Sequence, residues 1–153
     1  MVCVVDEKYY VKIFRNVSVK RLQDFKFLLD FIRPYISVEI PDITVHKTVS
    51  MYVCPKIEGY NIYELNKDFV LKHEKEYLKQ ASEIIAELQS IDVKSVPNYE
   101  RFLCGLQPER TREAPTKSQH LVFAHFDLNE KNFLFDDKMN IVGIIDWDTL
   151  SVA

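Results

Sequence analysis

A chain of 153 residues with 47% apolar and 28% charged positions has the balance of a folded soluble protein, one compact domain or a piece of a larger one, and not of a disordered tail. Its formal charge of −3, from 20 basic and 23 acidic residues with the lysines dispersed and no basic run among aromatics, argues against a nucleic-acid partner. Three cysteines at 3, 54 and 104 form no Cys-x-x-Cys pair, no leader-like segment opens the chain and no apolar run approaches about 18 residues, so zinc ribbon, disulfide framework and membrane span are all unexpected and a cytoplasmic location with reduced thiols is predicted.

In chain order, Val2–Val5 reads as a short strand, 6–8 as a turn and 9–14 as a second strand, together a hairpin. Ser18 is placed to cap a helix running to about Ile32. Its Leu22, Phe25, Leu28, Leu29 and Ile32 recur at helical spacing, and Pro34 punctuates its end. Beyond Pro41, the β-rich runs 43–46 and 49–54 predict another hairpin, which Pro55 to Gly59 breaks off. The spacing predicts one long helix over about 67–90, with Tyr77, Leu78, Ala81, Ile84, Ile85 and Leu88 along a single core-facing stripe. Residues 98–106 carry a weaker helical pattern, and 107–119 read as a polar, Pro-containing loop. The chain closes on strand 121–124, a loop, strand 133–135, a turn and strand 141–145. The sum is an α+β chain in two lobes: a small antiparallel sheet with one helix, then a helical region carrying a loop and hairpin.

That closing region is the most informative. It sets His125-x-Asp127, then Asn132 five residues after the Asp, then Asp146 fourteen residues after the Asn, with short apolar runs between them. The arrangement suits phosphoryl transfer from a nucleotide, in which one carboxylate meets the acceptor hydroxyl while an amide and a second carboxylate hold Mg²⁺ on the phosphates. Asp127 leaves a strand in a loop, where it can accept the hydroxyl's hydrogen bond and then its proton. The carbonyl oxygen of Asn132 is a hard donor suited to Mg²⁺. Asp146 ends an apolar strand beside the same mouth, and His125, between apolar neighbours, reads as a buried support of the loop and not as a base. Taken singly, each Asp or Asn is a turn residue. The joint spacing is what sets them apart.

His125-x-Asp127-x4-Asn132, followed by Gly143-Ile144-Ile145-Asp146-Trp147, resembles the aminoglycoside phosphotransferase and choline kinase-like family, a branch of the protein-kinase fold that phosphorylates small molecules. The resemblance spans roughly residues 2–150 and is specific over 121–147; the segment from Tyr52 to Gly59 also resembles that family's interlobe hinge. It implies ATP and Mg²⁺ as cofactors and a small-molecule hydroxyl as acceptor. Asp127 would be the catalytic Asp, and Asn132 and Asp146 the Mg²⁺ ligands. Lys12 would match the strand lysine on the α- and β-phosphates, with Asp24 as its helical acidic partner. Pro55 would offer adenine a carbonyl, Ile57 an N–H, and Cys54 the back of the pocket. Read alone, Lys12 is equally an edge-strand surface charge, and Pro55 to Gly59 an interlobe turn.

Against the family pattern there are three departures. Met1 lies only eleven residues before Lys12, and the three glycines are at 59, 105 and 143, so the strand and flexible phosphate-covering loop that open the family are not expected here. The chain stops seven residues after Asp146, where the family continues in helices, and Phe126 stands where these enzymes usually have Gly. The resulting expectation is a single truncated kinase-like domain: 1–54 a sheet lobe, 55–60 a hinge, 61–153 a partial C-terminal lobe with the catalytic loop. The rival expectation is a catalytically silent remnant or binding module, or one half of a split kinase completed by a second chain.

Overall fold

Two extended segments with β-branched and aromatic side chains begin the chain. In the computed structural model, which describes residues 1–102 and 121–153, they form β1 (Val2–Val5) and β2 (Tyr9–Ile13), turned through Asp6 and Glu7, both at positive φ. β2 pairs antiparallel with β4 (Met51–Pro55), which pairs with β3 (Thr44–Val45), giving a sheet in the order β1-β2-β4-β3. Between them runs α1 (Val19–Ile32). Ser18 caps it, its hydroxyl accepting from the Arg21 N–H at 3.2 Å, and all five periodic apolar residues are buried. Pro34 does not stop the chain from turning: a 3₁₀ turn, Arg33–Tyr35, continues the helix, because a proline early in a helical turn lacks only an N–H that would have no partner there.

Gly59, at φ 148°, turns the chain into β5 (Tyr60–Asn61). That conformation favours glycine, and a Cβ would also meet Leu134 and Val142 at 3.0 Å. The helix expected over 67–90 is two: α2 (Lys67–Lys72) and α3 (Glu74–Ser90). His73 breaks it. Its backbone stands at φ −106°, ψ 12°, its N–H is shared between the Phe69 and Val70 carbonyls, and its ring nitrogen Nδ1 lies 2.8 Å from the Phe69 oxygen. A side chain competing for a helical carbonyl loosens the ladder at that point. The core stripe of α3 is also narrower than expected. Ala81, Ile84 and Leu88 are buried with Tyr77 packed beside them, whereas Leu78 and Ile85 are 52% and 37% exposed, one step round the helix.

The remaining strands are β6 (Phe123–Ala124), β7 (Phe133–Phe135), β8 (Ile141–Ile144) and β9 (Ser151–Val152). β5, β7 and β8 form one antiparallel sheet, and β6 pairs with β9, a strand the sequence pattern did not announce. The connector between α1 and β3 lies on the edge of the β5-β7-β8 sheet, with Glu39 N–H bonded to Val142 O at 3.0 Å and Ile144 N–H to Glu39 O at 2.9 Å. One apolar cluster runs through the whole, from Leu22 and Leu29 of α1 to Phe123, Phe135, Trp147 and Leu150. The helical pattern of 98–106 is met by a 3₁₀ turn, Tyr99–Phe102; its remainder and the 107–119 loop lie outside the described residues. Among the described residues no helix is long and apolar enough to cross a membrane.

Candidate active site

β6 delivers the chain to His125, which is 3% exposed. Its Nε2 faces the Ile145 carbonyl at 3.3 Å and so carries the proton. Its ring stands edge-on to Trp147 at 4.7 Å between centroids, and its own carbonyl accepts the Thr149 hydroxyl. Burial pushes its pKa below the ordinary histidine value, against the Ile145 bond and the nearby Asp146 and Asp127 charges. Phe126 follows in the left-handed region at φ 58°, a conformation that favours glycine. The chain then turns out to Asp127, which is exposed.

The loop beyond Asp127 is held by its backbone. The Asp127 N–H donates to the His125 carbonyl at 2.8 Å, and the Asp127 carbonyl accepts from the Asn132 amide at 2.7 Å and the Asn129 amide at 3.0 Å. Asn132 ends a 3₁₀ turn, Glu130–Asn132, is 8% exposed, and receives the Ile145 N–H on its backbone oxygen at 2.9 Å. Because its NH₂ is committed to the backbone, its Oδ1 is oriented as an acceptor. Asp146 leaves β8 in the left-handed conformation, φ 59° and ψ 49°, at the head of a 3₁₀ turn, Trp147–Thr149. Its Oδ1 lies 2.6 Å from Lys12 Nζ.

Lys12 has a second carboxylate partner, Asp148 Oδ2 at 2.5 Å. Asp148 is 4% exposed, and its other oxygen accepts the Tyr52 hydroxyl at 3.0 Å. Burial alone would lower the Lys12 pKa, but Asp148 and Asp146 outweigh it and hold the ammonium above its usual value. Burial raises the Asp148 carboxyl, with Lys12 pulling against it, and raises Tyr52 with help from Asp148. The expected partnership of Lys12 with Asp24 does not form. Asp24 Oδ1 binds Arg101 at 2.9 Å, and that guanidinium sits over the rings of Phe27 and Phe102. The position of Asp24 on α1 is set by its buried neighbours Leu22, Phe25 and Leu28, and it faces the 3₁₀ turn of Arg101. Asp148 and Tyr52 were missed by sequence reasoning. The one available signal was the repeat Asp146-x-Asp148 at the end of an apolar strand.

Two cavities meet at this cluster. One, of about 420 Å³, is lined by Cys54, Pro55 and Ile57 and by Lys12, Asn132 and Asp146. The other, of about 460 Å³, is bordered by Asp127, Asp146, Asp148 and Lys12 together with Arg15. Lys12 and Asp146 therefore border both. At the expected hinge, the Lys56 N–H donates to the Lys8 carbonyl at 2.7 Å, so the alternation of an antiparallel ladder turns the Pro55 carbonyl away from β2. Among the described residues no group of three His, Cys, Asp or Glu side chains could cage a metal. One amide and one carboxylate, Asn132 and Asp146, line the same cavity.

Known structures match the fold. The streptomycin–ATP–APH(2'')-IIa ternary complex superposes with a TM-score of 0.66 at 16% identity, covering 99% of this chain and 63% of that one. ADP-bound aminoglycoside phosphotransferase APH(2'')-Ib gives 0.63 at 19% identity, over 97% and 62%. Macrolide 2'-phosphotransferase MphH from Brachybacterium faecium gives 0.61 at 17% identity, over 95% and 59%. The chain thus spans less than two thirds of the length of these structures. No curated protein sequence matches it. These likenesses define the fold as that of the kinase-like phosphotransferases, small antiparallel sheets with few helices. Residues 99–153 match the model of the phosphotransferase enzyme family, APH.

Proposed function

We propose that this chain transfers the γ-phosphate of ATP to a hydroxyl of a small molecule. The observation that carries the reading is the meeting of Asp127, Asn132, Asp146 and Lys12 where two cavities adjoin, one with room for a nucleotide and one open to an acceptor. Residues 1–54 form the nucleotide-side lobe, 55–60 the hinge, and 61–153 carry the catalytic loop. Pro55 and Ile57 present backbone groups to the adenine, and Cys54 closes the back of that cavity. Lys12 neutralises phosphate charge. Asn132 Oδ1 and Asp146 hold Mg²⁺, which when bound screens the phosphate oxygens from the incoming hydroxyl. Asp127 orients that hydroxyl and takes its proton, while His125 keeps the loop in place through Ile145. Catalysis of this kind is mostly positioning and electrostatics, which suits a site whose loop is fixed by backbone bonds and whose exposed Asp127 carboxylate borders the acceptor-side cavity.

Thermal unfolding with and without Mg²⁺-ATP tests the reading. Nucleotide at about one hundred times its dissociation constant adds about 2.7 kcal/mol to the folded state, so the midpoint rises with concentration. A midpoint that stays flat at millimolar Mg²⁺-ATP would overturn the proposal.

A further inference from the structure

The geometry points to Asp148, with Tyr52 behind it, as the positioning residue that holds Lys12 for the nucleotide phosphates, an inference that rests on the phosphotransferase reading above. Lys12 and Tyr52 are directly opposite each other in the β2–β4 pairing, so both side chains leave the same face of the sheet. Asp148 comes from the far end of the chain, in the 3₁₀ turn Trp147–Thr149, and uses one oxygen for each: Oδ2 for the ammonium at 2.5 Å, Oδ1 for the phenol at 3.0 Å. A carboxylate this buried persists only when it is paired and hydrogen-bonded, and here both oxygens are satisfied. Lysine gains more from such a restraint than arginine would, since its ammonium rides on a flexible four-carbon stem.

Asp146 also touches Lys12, but its side chain is 45% exposed where that of Asp148 is 5%, and the reading assigns Asp146 to the metal. The ammonium has three N–H groups; the two carboxylates take two and leave one for a phosphate oxygen. Asp24, the acid on α1, is engaged by Arg101 and plays no part in the arrangement. The consequence is geometric. Asp146 and Asp148 stand two residues apart on one turn, so the turn that presents the metal ligand also sets the position of the lysine. Lys12 is thus registered against the catalytic half of the molecule and not against the helix of its own lobe.

The test is a double-mutant cycle read in Mg²⁺-ATP affinity by titration calorimetry and in the KM for ATP against kcat. Asp148→Asn is expected to weaken ATP binding about tenfold, the size of one hydrogen bond to a charged group. In a Lys12→Ala background the same change is expected to weaken it no further, because Asp148 acts through the lysine. Tyr52→Phe removes a single oxygen from a ring that stays packed between Phe14 and Phe25, and is expected to move affinity the same way by less. It decides the matter even if Asp148→Asn does not fold. Wild-type affinity in both variants, fully additive losses in the double variant, or a loss confined to Asp24→Asn would each overturn the inference alone. A wild-type chain that binds no Mg²⁺-ATP would overturn the phosphotransferase reading, and this inference with it.

Discussion

Asp127 is exposed, yet almost nothing that shapes its loop depends on its carboxylate. The bonds that fix it run through its backbone to His125, Asn129 and Asn132, and among the described residues the carboxylate itself has only a 3.4 Å contact with the Asn129 amide. Asp127→Asn is therefore expected to lower the transfer rate by roughly 10²–10⁴, the usual worth of a general base, with ATP affinity unchanged. Comparable turnover in the variant would show that another group orients the hydroxyl. His125 allows a second prediction, in stability. Its folded-state pKa lies below the ordinary 6.5, so the unfolded chain takes up the proton first as pH falls. The stability tied to neutral His125 is fully present above that value and is lost on acidification towards the folded pKa. Melting midpoints followed from about pH 7.5 to about pH 5 should fall faster for wild type than for His125→Gln, narrowing the gap between them. A gap that stays constant would mean that His125 is not the acid-sensitive group.

At the scale of elements, α3 separates pattern from packing. Its apolar residues look like one broad stripe in sequence, but only Ala81, Ile84 and Leu88 reach the core, while Leu78 and Ile85 face outward. Leu88→Ala is expected to cost about 2–5 kcal/mol, transfer and cavity together. Leu78→Ala should stay within about 0.5 kcal/mol. Urea unfolding of the two variants checks this, and equal losses would place Leu78 in the core. The break at His73 has the same lesson. Helical periodicity continues across it unbroken, while in the structure the His73 ring lies against the Phe69 carbonyl and ring, 4.4 Å between centroids, where the two helices divide.

Across the whole molecule, parts distant in sequence meet at Gly143. Its missing side chain lets Ile57 from the hinge and the backbone of Glu39 from the α1–β3 connector approach β8, where a Cβ would meet Ile57 Cγ2 at 2.7 Å and Glu39 O at 3.4 Å. Gly143→Ala is expected to cost about 1–3 kcal/mol through overpacking. Because Ile57 lines the cavity proposed for the nucleotide, it should weaken Mg²⁺-ATP binding as well. Unfolding and nucleotide titration on the same variant check both halves, and full stability with full affinity would show that the hinge gives way freely.

The sequence by itself determined most of the local elements and the spacing of the residues on the loop after β6. Ser18 and the stripe of α1 act within a few residues, the β1–β2 turn is local, and His125, Asp127 and Asn132 lie on one loop whose internal hydrogen bonds span at most five residues, so spacing alone could bring them together. The resemblance likewise made Asp24, on the helix after β2, the expected partner of Lys12. Only the tertiary structure decided otherwise. Packing of α1 assigns Asp24 to Arg101, and the sheet register places Tyr52 beside Lys12, within reach of an Asp148 that lies 96 residues beyond Tyr52 in the chain. The strand β9, which pairs with the strand leading to His125 and Asp127, is likewise two residues whose pairing exists only once the chain has returned to β6. Local chemistry is written in spacing, whereas a buried charge finds its partner only when the core closes around both.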